Sequence, residues 1–194
     1  MTAPQAFTSA RLSLLLCFIV VPAVGLAQKP QKQSTHRPLR GVHERAFLAQ
    51  AIADDAMQIA LARLAMMKSS NPRLRALASK IVSDHAALDL QFSRLAANSG
   101  SKGHAHDAPA RDIIAMQAHL QSLQGEAFDR AFVGTMVKEH HKIIAAYAVA
   151  AKTSADDKLR TIAARGLPVL QGHLDAARSL MKEASLAQQG REHR

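Results

Sequence analysis

The chain has 194 residues, with 25 Lys and Arg against 15 Asp and Glu, ten His, one Cys, no Trp, one Tyr and six Phe. This is the length of one ordinary domain. The single Cys excludes an internal disulfide and a thiolate zinc cluster, and few aromatic and β-branched residues beside abundant Ala and Leu exclude a β-sandwich or barrel in favour of helices.

At the N-terminus Arg11 precedes an apolar run from Leu12 to Val21, and Gly25-Leu26-Ala27 supplies small residues for cleavage. Residues 1–27 read as a secretory signal peptide cleaved near Ala27, because the run is too short and too interrupted, by Pro22 and Gly25, for the roughly 20 residues that span a bilayer. Leu14-Leu15-Leu16 before Cys17 is not a lipidation site. The expected product is periplasmic or secreted, carries no cysteine and so no thiol chemistry, and has no transmembrane helix after cleavage. Residues 28–43 carry Lys29, Lys32, Arg37 and Arg40 among Gln, Pro, Ser and Thr, and read as a flexible basic arm. An envelope component or anionic surface is a partner such an arm suits. Nucleic acid is not, because the arm has no aromatic residues for stacking and an exported protein rarely meets it.

From residue 44 the apolar period is helical. Phe47, Ile52, Ile59, Leu61 and Leu64 predict a helix from Glu44 to Lys68, stopped by Ser69-Ser70-Asn71-Pro72. Leu74, Leu77, Ile81, Leu88, Phe92 and Leu95 predict a second, to Asn98. A Gly, Ser and His-rich loop over residues 99–108 leads to a short helix from Pro109 to Leu123. A long helix from Glu126 to Lys152 has Phe128, Phe132, Met136, Ile143 and Tyr147 on one face. The last, from Asp156 to Ala187, is expected to kink or break at Gly166 and Pro168, leaving residues 188–194 as a disordered tail. Two hairpins joined by a long connection make residues 44–187 an all-α four-helix bundle with a short extra helix.

Leu61-Ala62-Arg63-Leu64-Ala65, Ile81-Val82-Ser83-Asp84-His85, Leu123-Gln124-Gly125-Glu126-Ala127-Phe128-Asp129-Arg130, Met136-Val137-Lys138-Glu139-His140 and Leu167-Pro168-Val169-Leu170-Gln171-Gly172-His173-Leu174 follow one another at the spacing of known blocks. Over residues 44–182 they resemble the bacterial domain of unknown function 4142 (DUF4142), a group of exported proteins. The resemblance implies a ferritin-like bundle and leaves the activity undetermined. Where members of that group commonly carry Glu in the first helix, this chain has Gln58.

The chemistry lies in the histidines. His85 is in line with Ile81 and Leu88, His140 with Met136 and Ile143, and His173 with Leu170 and Ala177, so all three face inward from separate helices at similar heights, with Asp54 or Asp55 placed near them on the first helix. His85, His140, His173 and Asp55 are therefore candidate ligands for a divalent metal. Against this stands the absence of the two Glu-x-x-His elements of a di-iron site. The adjacent pairs Asp84-His85 and Glu139-His140 point about 100° apart and cannot chelate one ion, although His85 and Asp89, four apart, can share a face. The residues by themselves favour a non-enzymatic envelope bundle, with a binding or stress-related role, in which the histidines hydrogen-bond in the core. The alternative is a ferritin-like metalloprotein that binds or oxidises a metal through them. His104 and His106 suit weak metal capture in a solvated loop, Asp129 a first-turn helix acid or an interhelical ion pair, and the scattered Met57, Met66, Met67, Met116, Met136 and Met181 core filling.

Overall fold

Asn71 and Pro72 set the first hairpin: the Asn71 side chain accepts from the amides of Arg73 and Leu74 at 2.9 and 3.3 Å, and Pro72 occupies the helix's first turn, where its missing N–H costs nothing. The computed structural model describes residues 41–99 and 111–192. Across them run α1 (Val42–Lys68), α2 (Pro72–Asn98), α3 (Arg111–Ser122), α4 (Gly125–Thr153) and α5 (Asp157–Glu192). The segment expected to be a signal peptide, most of the expected basic arm and the histidine-rich stretch with His104 and His106 lie outside the described residues, which belong to one unit spanning Thr35–Arg194. There is no strand among the described residues, and no helix there is long and apolar enough to cross a membrane. Gly125 opens α4 with φ of 54°, a left-handed conformation that glycine adopts without strain.

Helices α1 and α2 pack together, as do α4 and α5, and the two hairpins meet through α2 on α5 and α1 on α4. Their directions follow from three anchors. Near the start of α1, Glu44 accepts from the Ser154 hydroxyl at 2.7 Å and from the amides of Ala155 and Asp156 at 2.7 and 3.1 Å, in the turn between α4 and α5. At the end of α1, Lys68 donates to the Leu120 carbonyl and lies 5.4 Å from the centre of the Phe128 ring, near the start of α4. Arg73, early in α2, pairs with Glu183, late in α5. Thus α1 runs opposite to α2 and α4 and in the same direction as α5, which lies diagonally across from it, and the connection bearing α3 joins opposite ends of the bundle.

The expected break in α5 does not occur; the helix is continuous through Gly166 and Pro168. Pro168 and Ala164 are both exposed, so the carbonyl that loses its helical partner lies on the solvent side. Gly166 serves packing: a Cβ there would stand 2.8 Å from Tyr147 Cε1, so glycine lets α5 approach the α4 ring. Residues 188–192, expected as tail, continue the helix, since Gln188 and Gln189 do not stop one. The methionines divide. Met57 and Met136 are buried, but Met67 is 77 % exposed and Met181 39 %, because their positions fall on outer faces.

Candidate metal centre

The core is split in two. One apolar cluster contains Leu61, Ile81, Phe132, Met136 and Ala177, toward the α1–α2 turn; the other contains Ile52, Leu88, Phe92, Ile143 and Leu170, toward the α4–α5 turn. Between them every long helix replaces its apolar residue with a polar one: Asp55 and Gln58 on α1, His85 on α2, His140 on α4 and His173 on α5, none more than 1 % exposed. The ring centres of the three histidines form a nearly equilateral triangle, 5.6 Å between His85 and His140, 5.4 Å between His85 and His173, and 5.3 Å between His140 and His173.

The hydrogen bonds decide which nitrogen each ring presents. His140 donates from Nδ1 to the carbonyl of Met136 at 3.0 Å, since a carbonyl can only accept. His173 Nε2 lies 2.8 Å from Asp84 Oδ2. Burial pushes Asp84 upward, but hydrogen bonds from Lys80 and His173 outweigh it and hold the carboxyl below its ordinary range, so it stays ionised and accepts. His85 Nδ1 lies 2.7 Å from Asp55 Oδ1. What remains is His140 Nε2 facing His173 Nδ1 at 3.2 Å, both with lone pairs, and His85 Nε2 with no partner. One nitrogen from each ring lies within 4.8 Å of the other two.

Two nitrogen lone pairs at 3.2 Å repel unless a cation stands between them. A proton fills that role poorly here. Burial, aided by the other two rings, lowers His140 to about 3, and burial lowers His173 to about 4. Burial likewise lowers His85 to about 4 and raises Asp55 to about 9, with Asp89 and Asp54 adding to the rise. The Asp55–His85 pair accordingly holds one proton between them at neutral pH.

Asp55 does not stand with the three nitrogens. It meets His85 on the ring edge opposite Nε2 and so orients that ring, as carboxylates behind metal-binding histidines do. Asp54 turns outward and accepts from Gln50 at 2.8 Å. Asp89 makes no bond to His85 and accepts instead from Ser93 at 3.4 Å. Asp129 is in no ion pair among the described residues, and its Oδ1 is buried without a partner. One participant's role escaped the sequence reading. Asp84 looked like a poor companion for its neighbour His85, and it serves His173 across the α2–α5 interface instead. Glu139, beside His140, is 6 % exposed and bonds Lys142 at 2.9 Å. The Lys80-x-x-x-Asp84 spacing, which fixes Asp84 at the surface, was the available signal.

A family model described as domain of unknown function DUF4142 matches residues 27–180. The chain belongs to this family. Among solved structures, this DUF4142 chain is similar to the crystal structure of a DUF305 fragment from Deinococcus radiodurans, with a TM-score of 0.67 and 17 % identity over 76 % of this chain and 99 % of that one, a likeness of fold. No curated protein matches it.

Proposed function

We propose that this DUF4142 protein is an exported metal-binding helical bundle that holds one transition-metal ion through His85, His140 and His173. The observation that carries the reading is the 3.2 Å approach of His140 Nε2 to His173 Nδ1, with the unpartnered Nε2 of His85 beside it. Bonds of ~2.0–2.1 Å at tetrahedral angles put ligand nitrogens about 3.3 Å apart, so that contact already has the separation a bound ion requires. Each ring's other nitrogen is tied to a carboxylate or a carbonyl, which fixes the direction of all three rings and the tautomers of His140 and His173 before metal arrives. Three neutral imidazoles with no thiolate suit zinc, copper, iron, cobalt or nickel rather than calcium or magnesium. The order of helix directions, with one long crossing connection, is that of ferritin-like bundles, which also build metal sites between facing helices. Export rests on the apolar segment that ends at Ala27.

Untagged protein with His104 and His106 replaced by Ala is expected to bind one zinc or cobalt ion per chain by elemental analysis. His140→Gln and His173→Gln are each expected to abolish that stoichiometry while remaining folded. Excess metal is expected to raise the melting temperature of the parent, by about 2.7 kcal/mol of stability at 100 times Kd, and not that of the variants. A second reading is favoured by the cross-helix bonds Asp55–His85 and Asp84–His173: the layer only ties the helices together. In that case no stoichiometric metal binds, and the histidine variants change stability alone.

A further inference from the structure

Around the bundle the helices follow the order α1, α2, α5, α4, and the polar layer draws a histidine from each of the last three. The quarter belonging to α1 is different. There Asp55 is committed to the back of the His85 ring, and the remaining polar side chain is Gln58, three residues further along the same inward face and 0 % exposed. Neither Gln58 Nε2 nor Gln58 Oε1 has a hydrogen-bond partner, and the same is true of Asp55 Oδ2. A buried primary amide with both ends idle is a costly and rare arrangement, and so is an idle carboxyl oxygen a turn away.

A four-coordinate ion with three protein nitrogens keeps one position for something else. We propose that this fourth position faces α1 and is taken by a small exogenous ligand, a water, a hydroxide or an anion of two or three atoms, held by the Gln58 amide. The inference rests on the metal reading above and specifies the ligand class of that site. Size follows from enclosure: the layer is buried between two apolar clusters, so nothing larger fits without parting the helices. Charge follows from the donor set. A divalent ion with three neutral imidazoles keeps its full positive charge, which attracts an anion. Gln58 Nε2 donates to such a ligand where a carboxylate would repel it, and Gln58 Oε1 accepts from a bound water or hydroxide. Gln58 is thus a ligand-positioning residue and not itself a ligand.

The test uses the full chain with His104 and His106 replaced by Ala, loaded with cobalt(II) and titrated with sodium azide, with the visible absorption bands of the ion as readout and circular dichroism as a check on folding. With Gln58 present, azide is expected to shift the bands saturably at one cobalt per chain. Gln58→Met, close in size, is expected to keep the cobalt affinity within about twofold and weaken azide at least tenfold. Gln58→Glu, which keeps the amide's shape, is expected to weaken azide as strongly through charge, and it decides the matter should the Met variant fail to fold. Bands unmoved by azide in the parent would mean a closed coordination sphere, overturning this inference while leaving the metal site standing. A loss of cobalt affinity beyond tenfold in Gln58→Met would make Gln58 a direct ligand and overturn it as well. Failure of the parent to bind cobalt at all would overturn the metal reading first, and this one with it.

Discussion

The layer contains two aspartate–histidine pairs of nearly equal length, 2.7 Å for Asp55–His85 and 2.8 Å for Asp84–His173, in opposite surroundings. Asp55 is 1 % exposed and burial raises it to about 9, whereas the Asp84 side chain is 24 % exposed, bonded to Lys80 at 2.7 Å, and held below its ordinary range. Geometry alone would call the pairs equivalent. Environment makes one a shared proton in a dry core and the other an ionised acceptor that reaches the surface. His173 therefore has its tautomer fixed outright, whereas His85, accepting from a protonated Asp55, carries its own hydrogen on Nε2, and a cation bound there would release that hydrogen as the Asp55 proton passed to Nδ1.

The strongest way to break this comparison is to remove each carboxylate in turn. Asp55→Ala leaves His85 unpaired inside a cavity and is expected to cost ~3–5 kcal/mol in urea unfolding, while Asp84→Ala, near water, should cost about 1. Equal losses would show that burial does not distinguish the pairs. Leu88→Ala supplies an apolar yardstick at ~2–5 kcal/mol, against which deletion of residues 28–40 should leave the melting temperature nearly unchanged.

The pairs also separate by pH in metal-free protein. Unfolded histidines take up protons below about 6.5, whereas His140 and His173 stay neutral to about 3 and 4. Unfolding therefore binds protons in that window, and stability falls as pH drops, by up to ~1.4 kcal/mol per pH unit for each proton. The Asp55–His85 pair is silent there, holding one proton whether folded or unfolded. Above 6.5 the unfolded pair releases its proton and the folded pair keeps it to about 9, so stability falls again as pH rises. Urea midpoints from pH 4.5 to 9 should pass through a maximum near 6.5, and Asp55→Asn should flatten the alkaline side while steepening the acid side, because His85 then takes up its proton only on unfolding.

The smallest expected effect lies far from the layer. Glu44 is held below its ordinary range because the bonds from Ser154, Asp156, Ala155 and Gly41 outweigh its partial burial. Glu44→Gln should lower the melting temperature by only a few degrees and leave metal stoichiometry unchanged by elemental analysis.

Helix boundaries were legible because they rest on local chemistry: Asn71-Pro72 and Gly125 act on their own turns, and the observed ends fall within two residues of those expected for α1, α2 and α4. The inward aim of His85, His140 and His173 was legible too, from spacing to apolar neighbours. Pairing was not. Whether Asp55 meets His85, or Asp84 meets His173, depends on how helices 30 and 89 residues apart in sequence lie against each other. The continuity of α5 through Pro168 escaped for a similar reason, since it depends on which side of the helix faces solvent.

The polar layer has a consequence for assembly as well as for binding. On every long helix a single inward polar level separates two apolar stretches, so sliding one helix by a turn of about 5.4 Å would bring a leucine into the layer and push an imidazole or carboxylate into hydrocarbon. Leucine against leucine tolerates such slippage; this level does not. It works as a register key, and it rejects shifted bundles whether or not an ion binds.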